Sequence, residues 1–184
     1  MRLFYGLSLP DAIRQETARV AQKSESLILG RYSDISNHHI TLAFLGEVPP
    51  ERLSGAEHIL QKHAAAFPAP TLTLDTADYF GKPDNAILIL RVKSEPALDA
   101  LHDALIADCI RNGLSVDPGP FSPHITLARH AQTTPQTLAA LAPKPLSFTP
   151  TCAHVFLSAR DERDILRYTP LFSADFGSDY FDSM

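Results

Sequence analysis

The pentapeptide His-Ile-Thr-Leu-Ala occurs twice in 184 residues, within "NHHITLAFLGEV" (37–48) and within "FSPHITLARH" (121–130). His39 and His124 stand 85 residues apart, and the elements around them recur in the same order. "RLFYGLSL" (2–9) and "AILILRVK" (86–93) both read as strands. A helical stretch follows each. Pro10 introduces the first, whose apolar residues fall at 12, 13, 20 and 21. Ser94 caps the other and Gly113 stops it. Next come the histidine strand (38–45 in the first copy), a helix opened by proline ("PPERLSGAEHILQKHAAAF", "TTPQTLAALA"), and a further strand (71–80, 153–159). "GKPDN" (81–85) is a turn between the copies, and "LRYTPLFSADF" (166–176) is the last strand.

A shift of 85 lays Leu3–Leu9 on Leu88–Ser94 and the first helix on the third. This order predicts an α+β fold in one domain, 1–184, with pseudo-repeat halves of about 1–83 and 84–184. Two units are too few for a solenoid, so the halves should close on one another. The expected architecture is bilobal and pseudo-twofold: two antiparallel-rich sheets around a central cleft, with helices outside.

Side chains alternate across a strand, so His39, Thr41 and Ala43 share one face while Ile40, Leu42 and Phe44 share the other. His124, Thr126 and Ala128 repeat this against Ile125 and Leu127. The apolar face suits packing; the polar face suits the floor of a ligand site. Two imidazoles and two hydroxyls fit phosphoryl transfer without a metal. One histidine can take a proton from the attacking group and the other can protonate the leaving oxygen, both near neutral pH. The threonines can donate to the phosphate oxygens. A zinc site from His38, His39 and His124 is the weaker alternative, because adjacent strand residues point apart. His38 is expected on the opposite face, against backbone or solvent. His58, His63 and His102 are expected on solvated helix surfaces, and His130 and His154 have no repeated partner.

Net charge is −5 and the pI about 5.9. A chain that grips nucleic acid along its backbone carries a basic excess, so RNA would be met here at a local site such as an end. Cys109 and Cys152 form neither a disulfide framework nor a metal spacing, and no run reaches the roughly 20 apolar residues of a membrane span. These features lead to the expectation of a cytoplasmic monomer with no cofactor.

At "RLFYGLSLP", "HITLAFLGEV", "GPFSPHITLAR" and "RYTPL" (167–171) the chain resembles the two-histidine phosphoesterase superfamily. Within it, the chain is similar to the RNA 2′,3′-cyclic phosphodiesterases, historically called 2′–5′ RNA ligases. The resemblance implies a bilobal fold with both motifs in the cleft. It implies metal-independent hydrolysis of a 2′,3′-cyclic phosphate on an RNA end or nucleotide, leaving a 2′-phosphate, with weak 2′–5′ joining as the reverse of transesterification. His39 would be the acid and His124 the base; Thr41 and Thr126 would hold the phosphate. Arg129 would bind phosphates, although strict alternation turns it away from His124 unless a strand end or bulge intervenes. Phe4, Tyr5, Phe121 and Tyr168 are candidates to stack on a base. His38 departs from the apolar residue usual before the first motif histidine, and "DPGP" (117–120) lacks the basic residues frequent in relatives. The competing class is a nucleotide or RNA-end binding module without turnover.

Overall fold

The computed structural model describes residues 1–93, 95–117 and 119–177, so Ser94, the expected helix cap, and Pro118 of the "DPGP" loop lie outside the described residues. The chain runs β1 (Arg2–Ser8), α1 (Asp11–Glu25), β2 (Arg31–Tyr32), β3 (His39–Glu47), α2 (Leu53–Ala66), β4 (Leu72–Lys82), β5 (Asn85–Lys93), α3 (Pro96–Arg111), β6 (His124–Ala131), α4 (Pro135–Ala139), β7 (Ser147–Phe148), β8 (Cys152–Arg160) and β9 (Leu166–Asp175). The expected α+β class with two antiparallel sheets holds. One sheet has the order β3-β1-β8-β9 and the other β2-β6-β5-β4-β7.

Sheet membership crosses the middle of the chain. β4 lies in the first half of the sequence yet pairs with β5, while β8, from the second half, pairs with β1. The two halves therefore exchange their third strands, and each lobe draws on both. Local physics favours the β4–β5 pair: Lys82 stands opposite Asn85 across a two-residue loop, with Gly81 at φ 87 just before it. The motif strands hold equivalent places beside β1 and β5, and they approach one another across the cleft.

The repeat is offset within itself. Gly6 stands opposite Thr41, and Ile89 stands opposite Thr126. A uniform shift of 85 would put Arg91, not Ile89, in the place of Gly6. Ser8 and Arg91 are instead the equivalent residues, opposite His39 and His124. The histidine strands thus repeat at one spacing and their partner strands at a slightly shorter one, because the loops between them differ.

α3 ends as expected at Gly113, whose φ of 68 lets Leu114 N–H reach back to Cys109 O at 2.9 Å and Gly113 N–H to Ile110 O at 2.9 Å. α1 buries Ile13, Val20 and Ala21, but also Glu16, Thr17 and Ser24, so its inner face is half polar. Glu16 is held there by Arg19 and by the Lys144 backbone N–H. Leu3, Tyr5 and Leu7 of β1 join Ile40, Leu42, Leu88, Leu90, Ile125 and Leu127 in the main core.

Candidate active site

Both motif histidines are oriented by the same local device. His39 Nδ1–H donates to Asn37 O at 2.7 Å, and His124 Nδ1–H donates to Ser122 O at 2.7 Å. A carbonyl only accepts, so each ring is fixed as the Nδ1–H tautomer with Nε2 left for chemistry. His39 Nε2 accepts from the Thr41 hydroxyl at 3.0 Å. Asn37 is itself clamped, its Nδ2 donating to Leu166 O at 2.7 Å and its Oδ1 accepting from Tyr168 N–H at 3.2 Å. Arg167 ties the same turn down through Asp34 at 2.9 Å and Asp161 at 3.2 Å. "RYTPL" therefore acts on the site from β9, at the other edge of the sheet, by holding the turn that positions His39.

Each motif strand carries a bulge at the same place. On β3 the partners of Gly6 and Tyr5 are Thr41 and Ala43, so Leu42 is the extra residue. On β6 the partners of Ile89 and Leu88 are Thr126 and Ala128, so Leu127 is extra. Leu42 and Ala43 are both buried, as are Leu127 and Ala128, and simple alternation ends there. The bulged carbonyls are bonded outside the β1–β3 and β5–β6 ladders: Leu42 O accepts from His102 Nδ1–H at 2.7 Å, and Leu127 O from Ser33 N–H at 2.8 Å. Glycine suits the place opposite the first bulge, since a Cβ on Gly6 would lie 3.0 Å from Ile40 O, tighter than most such contacts.

The bulges bring Phe44 and Arg129 to the histidine face, which strict alternation denies them. Phe4 stands opposite Phe44 and Gly6 opposite Thr41, so Phe44 and Thr41 share a side. The Phe4 ring lies 4.8 Å from His39 and 5.7 Å from Phe44. By the same count Arg129 follows Ala128 onto the side of His124, and its charge is felt by both imidazoles. Arg91, which the sequence reading missed, faces His124 across the ladder, donates to Asp78 and Ser122, and lies over Phe80. Its signal was present: one arginine inside the otherwise apolar "AILILRVK". The chain is acidic overall, yet this cleft is locally cationic.

Burial pushes the His39 imidazole down to about 4; the Asn37 carbonyl opposes this, and the charges of His124 and Arg129 add to it. Burial also lowers His124, opposed by the Ser122 carbonyl and helped by Arg91 and Arg129. Both rings are thus neutral at pH 7 until a negative charge enters the cleft.

Other aromatic and histidine residues divide differently from expectation. Phe4 and Tyr168 flank His39, but Phe4 is fully buried and cannot receive a base. Tyr5 is in the core with its hydroxyl donating to Ala56 O at 2.7 Å, and Phe121 stacks on His102 at 4.2 Å. His102 and His63 are not solvated: α3 packs against β3, and α2 against α3, which brings His102 to the bulge and His63 to the buried Asp108 at 2.9 Å. His38 precedes β3 and is 3% exposed, bonded to Thr17 Oγ1 at 3.0 Å, rather than meeting backbone or solvent. Among the described residues no group of three or more His, Cys, Asp or Glu side chains is arranged to hold a metal ion. No helix among them is long and apolar enough to cross a membrane.

Known proteins resemble this chain in sequence and fold. Residues 9–164 match the model of the 2′-5′ RNA ligase superfamily. The RNA 2′,3′-cyclic phosphodiesterase of Geobacillus stearothermophilus is 32% identical over 83% of this chain and 48% of its own, so the chain spans about half the length of that relative. The RNA 2′,3′-cyclic phosphodiesterase of Escherichia coli (strain K12) is 35% identical over 71% of this chain and 72% of its own. The crystal structure of E. coli LigT complexed with 3′-AMP superposes with a TM-score of 0.77 at 31% identity, over 95% of this chain and 97% of that one. With its duplicated motif strands and this match over most of its length, the chain belongs to the 2′-5′ RNA ligase superfamily.

Proposed function

We propose that the protein is an enzyme that hydrolyses 2′,3′-cyclic phosphate ends of RNA, or cyclic nucleotides, to 2′-phosphates without a metal. The observation that carries this reading is the paired tautomer: two imidazoles, each with Nδ1–H fixed by the carbonyl two residues earlier, flank one cationic cleft. In this reading His124 Nε2 takes a proton from water, and the hydroxide adds to phosphorus in line with the 3′ oxygen. The P–O3′ bond breaks and His39 returns a proton to that oxygen. The phosphate charge supplies what His39 lacks in the free protein, since an anion beside an imidazole raises its pKa. Once Nε2 is protonated it no longer accepts from Thr41, whose hydroxyl turns with that of Thr126 to the non-bridging oxygens. Arg129 and Arg91 offset their charge. The same step with a 5′-hydroxyl in place of water forms the P–O5′ bond as the P–O3′ bond breaks, which gives the 2′–5′ joining reaction. The cytoplasm suits this chain, where Cys109 and Cys152, both free thiols here, stay reduced.

Phe44, 37% exposed, packs on Phe4 and has the Arg2 guanidinium 5.5 Å from its ring centroid, so it would receive a terminal base only where Arg2 gives way. A binding module without turnover would have no need for two tautomer-fixed imidazoles. The test is incubation with 2′,3′-cyclic AMP in excess EDTA. The expected product is 2′-AMP alone, at a rate equal to that without EDTA. Exclusive 3′-AMP, loss in EDTA, or binding without turnover would overturn the reading.

A further inference from the structure

A cavity of about 220 Å³ opens beside His39, lined by Ser8, Arg14, Asn37, His38, His39 and Tyr168 among others. Two of these side chains keep a buried polar atom with no hydrogen-bond partner in the protein: Arg14 Nε and His38 Nε2. Their neighbours settle what each offers. Thr17 Oγ1 lies 2.9 Å from the Arg14 carbonyl, which only accepts, so the hydroxyl proton points there. His38 Nδ1, 3.0 Å from the same oxygen, must then donate to it. His38 Nε2 is left as a bare acceptor, and Arg14 Nε–H as a donor. Burial first, then the nearby His39 charge, push His38 down to about 4 and keep it neutral; Asp34 opposes this and Arg14 adds to it.

An occupant that meets both, once these covered atoms turn toward the cavity, must accept from Arg14 and donate to His38. A phosphate oxygen would set its lone pairs against Nε2, and an ammonium would meet Arg14. A hydroxyl satisfies both. The volume is several times the roughly 30 Å³ that one water takes in the liquid, so there is room for more than a lone water. With the 3′ oxygen leaving toward His39, the terminal ribose faces this side of the cleft, and the nucleotide 5′ to it follows.

We propose that the cavity beside His39 is a subsite for the 2′-hydroxyl of the nucleotide preceding the cyclic end, which accepts from Arg14 Nε–H and donates to His38 Nε2. This rests on the cyclic-phosphate reading above. It makes the protein discriminate RNA from DNA one nucleotide away from the reacting phosphate.

The experiment uses dinucleotides that end in a ribose 2′,3′-cyclic phosphate and carry ribose, 2′-deoxyribose or 2′-O-methylribose at the 5′ position. The ribose form should exceed the deoxy form in kcat/KM by about tenfold or more, because loss of the hydroxyl leaves both buried groups unpaired. The 2′-O-methyl form accepts but cannot donate, and should fall with the deoxy form. In His38→Leu, checked for folding by thermal unfolding, the ribose-to-deoxy ratio should fall to about one. Arg14→Met is a second variant with the same expected loss of ratio, in case the first does not fold. A resident water, the other source of a hydroxyl, predicts equal kcat/KM for ribose and deoxy forms in the unaltered protein; that result overturns the proposal, as does a ratio unchanged in both variants. Calorimetric affinities for the matching 2′-phosphate dinucleotides repeat the comparison without turnover. If no cyclic substrate reacts, the functional reading fails, and the ribose-to-deoxy affinity ratio still decides the subsite.

Discussion

Leu42 and Leu127 are the same bulged residue in two copies of one strand, and each reverses the side on which the following residues emerge. Phe44 and Arg129 reach the cleft because of them. Removing the Arg129 charge should then be felt at both imidazoles. Arg129→Ala should raise the His39 and His124 pKa values, since that charge lowers both. Proton NMR titration of the ring protons checks this; unchanged values in both rings would return Arg129 to the far face. The same variant should lose about 10-fold or more in kcat/KM on a cyclic mononucleotide.

His39→Ala and His124→Ala should each cost about 10²-fold or more in turnover. The double variant should lose less than the product of the single losses, because both groups serve one transition state. Thr41→Ala or Thr126→Ala should cost less than either, since each removes one donor while others remain. Single-turnover rates of 2′,3′-cyclic AMP hydrolysis separate these cases. Fully multiplicative losses would mean that the two rings act in independent steps.

The pH profile should be bell-shaped, with limbs that depend on ligation. kcat/KM reports the free protein, in which burial holds both imidazoles below 6.5, so its bell should lie on the acid side of neutrality. kcat reports the complex, where the phosphate charge raises the acid, so its bell should be displaced to higher pH. Steady-state kinetics across pH 4 to 9 tests both. Coincident bells would show that the phosphate does not retune the pair.

Stability should also respond to acid. His38 and His39 have folded pKa values lowered to about 4 from 6.5, so between these limits the unfolded chain binds more protons than the folded one. Their contribution is therefore full above about pH 6.5 and is lost as pH falls toward 4, on the order of 3 kcal/mol for His38 alone. Melting temperatures at pH 7.5 and 4.5 should differ by less in His38→Leu than in the unaltered protein. An equal drop in both would place the acid sensitivity elsewhere.

Gly6→Val should be destabilising by roughly 2 kcal/mol or more, because the added Cβ meets backbone at Ile40 O rather than a yielding side chain. Urea unfolding measures this. A neutral result would mean that the β1–β3 pair can shift to make room.

The sequence alone determined a good deal here. Strand and helix order, the two His-x-Thr strands and the glycine stop of α3 all follow from periods and residue types spanning a few positions, and the identical pentapeptides made the site conspicuous. Tertiary structure decided the rest, and the reason is the same each time. A bulge is a mismatch between two strands, so nothing within "HITLAFL" or "HITLARH" shows that Leu42 and Leu127 lack a partner. In the exchange of β4 and β8, the turn onto β5 is local, but the pairing of β8 depends on the distant edge of β1. Arg91 became part of the cleft only when β5 was laid beside His124, two residues out of the register that a uniform repeat demands. His63 and His102 looked like surface residues, and His38 like a contact of backbone or solvent, until packing placed Asp108, the Leu42 carbonyl and Thr17 against them. Local pattern encodes which face a residue prefers; only the partner strand or helix decides what that face meets.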